Sequence, residues 1–186
     1  MKFTIPNLLS VLRMGLVPLF IIAVLDGQAV RALILFLVAG VTDALDGFIA
    51  RFANQQSLLG AYLDPIADKI LLTSAYISLS IPSLNHGAQI PVWITVLVIA
   101  RDLLIVVMAV ILALAAGVRK FPPSILSKIN TTAQVVTVLV VLISARLPDL
   151  EPAATTLLYL VAVTTVSSGL DYMFRMSRLE RPSAVS

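Results

Sequence analysis

Four carboxylates fall within one stretch whose two halves are otherwise largely apolar, residues 43–68, which reads DALDGFIARFANQQSLLGAYLDPIAD. Asp43 and Asp46 are spaced i, i+3 and Asp64 and Asp68 i, i+4, so on helices each pair shares a face. A short polar turn over residues 51–56 separates the two pairs. With helices ending near Ala53 and beginning near Ser57, Asp46 and Asp64 each lie about 10 Å from the turn. Asp43 and Asp68 lie about 15–16 Å from it by the same rise, so the pairs match in depth across an antiparallel hairpin. The chain has no cysteine and its one histidine, His86, lies elsewhere, which makes the donor set all oxygen. Such a set suits Mg2+ or Mn2+. Two ions about 3.5–4 Å apart fit it and suit displacement at phosphorus.

The surroundings sharpen this reading. A carboxylate at the centre of a membrane helix costs about 2.5–3.5 kcal/mol. Four would cost about 10–14 kcal/mol uncompensated, so a cation must sit among them. Gly47 and Ala50 continue the face of Asp43 and Asp46, and Gly60 precedes Asp64 on its stripe, letting a ligand or a facing backbone approach closely. Pro65 removes a backbone donor beside Asp64. Arg51, one turn past Gly47, is either a snorkelling anchor or a fork for a diphosphate. Lys69 projects about 100° away from Asp68, toward another helix. The plainer alternative is a pair of packed helices whose acids bond neighbouring hydroxyls or basic residues.

The elements that must position these acids are membrane helices. Of 186 residues, 59% are apolar and 12% charged, the balance of a polytopic membrane protein of one domain. That domain is expected over residues 1–180, with a flexible tail over 181–186. Apolar runs fall at 8–25, 31–53, 58–80, 91–117, 125–145 and 153–176, each near the ~20 residues a spanning helix needs. The expected fold is therefore an all-α bundle of six transmembrane helices with both termini on one side. Lys2, Arg51, Arg119, Lys120, Lys128, Arg175, Arg178 and Arg181 fall on that side, and only Arg31 and Arg146 in the loops of the other. This bias places the termini and the carboxylate site toward the cytoplasm. Pro6 fits the first turn of a helix, and part of the opening segment is expected to lie along the interface before turning inward. No cleavable signal and no internal repeat is evident, and the expected partners are membrane lipids rather than nucleic acid.

The 43–68 stretch resembles the CDP-alcohol phosphotransferase (CDP-alcohol phosphatidyltransferase) family. It fits the pattern D-x2-D-G-x2-A-R-x8-G-x3-D-x3-D at Asp43, Asp46, Gly47, Ala50, Arg51, Gly60, Asp64 and Asp68, and the wider likeness covers nearly the whole chain. The resemblance implies transfer of a phosphatidyl group from CDP-diacylglycerol to an alcohol with release of CMP, in a homodimer in a bacterial inner membrane. It implies that Asp43, Asp46 and Asp64 hold two divalent cations, Mg2+ or Mn2+, and that Asp68 is the general base and a possible further metal ligand. Gly47, Ala50, Arg51 and Gly60 would frame the cytidine diphosphate, with Asn7 and Arg13 helping to line the nucleotide pocket.

The acceptor is read from residues 119–134. Phosphatidylglycerophosphate synthases of this family typically carry G-K-x-K-T, where this chain has Ser127, Lys128, Ile129, Asn130 and Thr131, so Asn130 stands where a second lysine is expected. The S-K-x-N-T form, with the ARD at 100–102, is closer to CMP-forming cardiolipin synthases. Glycerol 3-phosphate is the expected acceptor, its phosphate met by Lys128, Arg101 and Arg119; the phosphatidylglycerol headgroup is the alternative. Arg101 and Asp102 point to different faces of one helix and are expected to reach different partners. A small cation transporter is the rival of a different class, since paired intramembrane acids serve that use too. Against it, Arg51 beside a cation path gains a transporter nothing, and no inverted repeat is found.

Overall fold

Apolar runs joined by short polar turns leave the backbone in lipid one local way to satisfy its hydrogen bonds, and each described run is helical. The computed structural model describes residues 5–52, 58–81, 89–116 and 124–179. Among them are six α-helices: α1 Ile5–Leu25, α2 Ala29–Phe52, α3 Leu58–Leu79, α4 Val92–Ala116, α5 Ile125–Ser144 and α6 Glu151–Leu179. A 3-10 turn, Pro148–Leu150, leads into α6. These bounds lie within a few residues of the six apolar runs. Among the described residues, Leu8–Leu25, Ile125–Ser144 and Pro148–Phe174 are long and apolar enough to cross a membrane.

α1 departs from expectation. Its 21 residues run unbroken from Ile5, with Pro6 in the first turn and Pro18 inside, so the described part shows no break between an interfacial and an inserted segment. At 1.5 Å per residue such a helix is about 31 Å long, the thickness of a hydrocarbon core. It stops in a Schellman turn. Gln28 N donates to Ala23 O at 2.9 Å and Gly27 N to Val24 O at 3.0 Å, with Gly27 at φ 67°, a conformation that favours glycine.

Packing is organised around α1. Both α2 and α3 find their main partner in it among the described residues, α5 and α6 form a second pair that α4 joins through α6, and α2 meets α5. The α1–α2 seam is filled by Phe20 and Phe36, whose ring centroids are 5.8 Å apart. Fully buried alanines (Ala23, Ala32, Ala39, Ala75 and Ala154) let the helices come close, as small residues do where lipid supplies no hydrophobic drive between helices.

Several hydroxyls within the helices are satisfied by their own backbone. Thr42 donates to Ala39 O at 2.8 Å, Ser78 to Ser74 O at 2.7 Å and Thr137 to Ala133 O at 2.7 Å. Others tie helices together. Thr95 on α4 donates to Tyr76 O on α3 at 3.2 Å. Arg101 on α4 is buried and donates to Ser127 on α5 at 2.8 Å and to Ser168 on α6. Its Nη1 also bonds Asp102 at 2.9 Å, and Asp102 in turn pairs with Lys69 on α3. Lys69 thus reaches another helix, as its projection implies. Arg101 and Asp102 do reach different helices, yet they also bond each other, because the long guanidinium folds back across the 100° between neighbouring positions. Ser168→Ala removes a hydrogen bond to a buried charge and is expected to lower stability by about 1.5–3 kcal/mol. Thermal unfolding in detergent reads this as a lower Tm.

Candidate active site

The cation demanded by the acids comes from α1. Arg13 is fully buried, and its Nη1 lies 2.7 Å from Asp43 Oδ1 on α2 while also bonding Asp68 Oδ1 on α3. Two carboxylates 25 positions apart in sequence therefore meet on one nitrogen, at one level of the bundle, as their matched depth implies. A buried charge is tolerated only when paired, and Arg13 offers a planar fork that serves two acceptors at once.

The pairing is one-sided. Arg13 has no exposed surface, whereas the side chains of Asp43 and Asp68 are 43% and 45% exposed. The acids are held from behind and open in front, where they border a cavity of about 130 Å3. Ala39 and Gly40 lie one turn before Asp43, Leu71 and Leu72 one turn after Asp68, and α5 contributes Thr131 and Val135. A Cβ built on Gly40 would meet nothing within 4 Å, so its bare backbone adds to the space beside the acids. The cavity is thus polar at the two carboxylates and the threonine and apolar elsewhere.

α5 enters the site through its second and third turns. Ser124 caps the helix, its hydroxyl accepting from Ser127 N at 3.1 Å, and Thr131 donates to Ser127 O at 3.1 Å. Lys128 is exposed and stands three residues before Thr131, hence on the face that borders the cavity, one turn nearer the helix end. Asn130 faces the other way. It is fully buried against α6, where its Oδ1 accepts from Thr164 at 2.8 Å and from Thr165 at 2.9 Å. The idea that this position lacks a cation for a pocket is corrected: position 130 belongs to the α5–α6 seam, and a lysine there would bury its ammonium among threonines. Thr131 is a polar cavity residue that was not named as a site residue from the sequence, and its place as the last position of the S-K-x-N-T segment was the signal for it.

The remaining candidates divide by what the structure describes. Asp46, Gly47, Ala50 and Arg51 lie on the last turns of α2, Gly60 and Asp64 on the first turns of α3, and Asn7 on the first turn of α1. The side chains of these residues lie outside the described residues, as does all of Arg119. Arg101 sits in the α4–α5–α6 network, bonded to Ser127, the neighbour of Lys128.

Among the described residues no group of three or more acids or histidines is assembled as a metal cage. The donors that are described nevertheless fit a hard divalent cation. Two carboxylates converge on one positive nitrogen, their faces open to a cavity, with only oxygen donors around them. One guanidinium between two carboxylates leaves the described pair with a net negative charge. Arg13→Leu removes hydrogen bonds to two charged groups and is expected to cost about 1.5–3 kcal/mol, checked by thermal unfolding of the purified protein.

Comparison with known proteins gives the family of the chain. The family model of the CDP-alcohol phosphatidyltransferases matches residues 3–167. The chain is 38% identical to the CMP-forming cardiolipin synthase of Rattus norvegicus over 152 residues, 73% of this chain and 49% of that protein. It therefore spans about half the length of that mammalian relative. It is 34% identical to the CDP-diacylglycerol–glycerol-3-phosphate 3-phosphatidyltransferase of Haemophilus influenzae, covering 93% of both chains. The protein of that name from Escherichia coli is 32% identical, with 93% of this chain and 94% of the relative covered. With acids on α2 and α3 joined by α1, and a match from residue 3 to residue 167, the chain belongs to the CDP-alcohol phosphatidyltransferase family.

Proposed function

We propose that this chain transfers a phosphatidyl group from CDP-diacylglycerol to the hydroxyl of glycerol 3-phosphate, releasing CMP. The observation that carries the reading is the meeting of Asp43 and Asp68 on Arg13 beside a cavity that α5 closes with Thr131. Family membership supports a CDP-linked donor. The relatives matched over nearly their whole length are named for transfer to glycerol 3-phosphate, which supports the acceptor. The proposal includes six spans with both termini and the site on the cytoplasmic side of a bacterial inner membrane, in a homodimer. The six helices and the bias of basic residues toward one side support the topology.

In this reaction the acceptor hydroxyl oxygen bonds to the phosphorus that carries the diacylglycerol. The bond from that phosphorus to the oxygen bridging to CMP breaks, and its electron pair leaves with CMP. The hydroxyl proton passes to Asp68. Arg13 engages Oδ1 of that carboxylate, which fixes its orientation. Asp43 is oriented in the same way by the same nitrogen. Two divalent cations, Mg2+ or Mn2+, held by Asp43, Asp46, Asp64 and in part Asp68, would neutralise charge on the diphosphate when bound. Gly47, Ala50, Gly60 and Arg51 frame the cytidine diphosphate with Asn7, and Arg13 contributes through the acids it holds. Lys128 meets the acceptor phosphate, aided by Arg119, while Arg101 secures the turn beside it through Ser127.

A second reading, a CMP-forming cardiolipin synthase with phosphatidylglycerol as acceptor, is favoured by the burial of Asn130. With that position facing α6, Lys128 is the one cation of the S-K-x-N-T segment beside the cavity, and a phosphodiester needs less positive charge than a monoester.

Purified protein with CDP-diacylglycerol and Mg2+ should release CMP with glycerol 3-phosphate and give background release with phosphatidylglycerol, serine or inositol. A chelator should abolish the release and added Mg2+ or Mn2+ restore it. Release with phosphatidylglycerol alone would establish the second reading, and no release with any acceptor would refute both. Asp68→Asn should lower turnover by at least about a hundredfold, the lower bound of general-base catalysis, while CDP-diacylglycerol binding persists.

A further inference from the structure

We infer that a pocket at the opposite end of α2 from the carboxylates binds the headgroup of an anionic phospholipid. The pocket has a volume of about 470 Å3 and is bordered by Gly27, Gln28, Val30, Arg31, Ile34 and Arg146. Arg31 precedes Asp43 by twelve helical residues, about 18 Å along α2, so this is not an annex of the carboxylate cavity.

Its depth follows from the spans themselves. Leu25 is the last residue of one membrane-crossing segment and Ser144 the last of another. Arg146 follows Ser144 by two residues, and Arg31 follows the Schellman turn that ends α1. Both guanidinium groups therefore sit where apolar helix gives way to polar turn, the level at which lipid headgroups lie.

The chemistry of the wall is that of a phosphate site with an apolar skirt. Arg31 and Arg146 are exposed, and among the described residues neither forms an ion pair. Arg31 bonds Gln28 Oε1 at 3.3 Å, a contact that holds the guanidinium over the pocket without neutralising it. The acids of the neighbouring turns, Asp26, Asp149 and Glu151, are not part of the wall. α2 begins at Ala29 with no acid in its first turn, so its positive end adds to the two guanidinium groups. Val30 and Ile34, 46% and 55% exposed, continue the wall toward lipid. The volume lies within the ~300–1,000 Å3 typical of small-molecule sites, room for a glycerophosphate headgroup rather than a bare ion. Two cations, a helix start and an apolar flank at headgroup depth select a lipid phosphate with net negative charge.

The test is native mass spectrometry of the full chain in detergent, titrated with dioleoyl phosphatidylglycerol or dioleoyl phosphatidylcholine. One phosphatidylglycerol should be retained that R31Q/R146Q binds about thirtyfold more weakly, from the ~1 kcal/mol each basic residue adds near an anionic surface. Phosphatidylcholine should bind both proteins alike. Thermal unfolding should be unchanged in the double variant, and R146Q alone, which lies outside the helices, should show part of the loss. Equal phosphatidylglycerol retention by wild type and variants would overturn the inference, as would equal loss of both lipids. Displacement of phosphatidylglycerol by millimolar inorganic phosphate would make this a site for a soluble ion and overturn the lipid assignment.

Discussion

The structure depends on how charge is tolerated where water is scarce. An acid among membrane helices is stable only beside a cation, and the single nitrogen of Arg13 serves both Asp43 and Asp68. That contact decides more than local energetics. It makes α1 the helix on which α2 and α3 both pack, and it fixes the two acids at one level with their outer faces open. A wholly buried guanidinium behind two half-exposed carboxylates is a preorganised arrangement: the cost of orienting the acids is met on folding rather than on binding.

A second polar network begins one residue further on. Asp68 turns toward α1, while Lys69, about 100° round the helix, turns toward Asp102 on α4. Asp102 holds Arg101, which reaches Ser127 on α5 and Ser168 on α6. Two adjacent residues of α3 thus fasten it to both halves of the bundle. The same linkage sets the first turn of α5, whose Thr131 borders the carboxylate cavity and whose Lys128 lies on that face. Lipid offers helices no hydrophobic reason to associate, so these buried polar bonds and the small-residue seams carry the association.

Much of this was legible in the sequence. Each of the six apolar runs is helical among the described residues, and three of them are long and apolar enough to cross a membrane, because a chain in lipid must close its hydrogen bonds locally. The spacing of the four acids predicts shared faces and matched depth, and the described outer pair, Asp43 and Asp68, does converge. Lys69 pointed to another helix for the reason its position suggests. These are properties of one helix or one hairpin, which the local periodicity of 3.6 residues controls.

Residue types and helical spacing thus determined the helices, the common level of Asp43 and Asp68 and the need for a cation. Only the tertiary structure decided which cation answers it. Arg13 is 30 residues from Asp43 and 55 from Asp68, and nothing local distinguishes it from Arg51 or Lys69 as the partner. Asn130 marks the same boundary. A motif comparison put it beside an acceptor, but packing turned it onto Thr164 and Thr165, because adjacent helical positions face different neighbours and the direction of the seam is set by α6. The side on which a residue faces its helix is written in the sequence; what stands opposite it is fixed by how the helices meet.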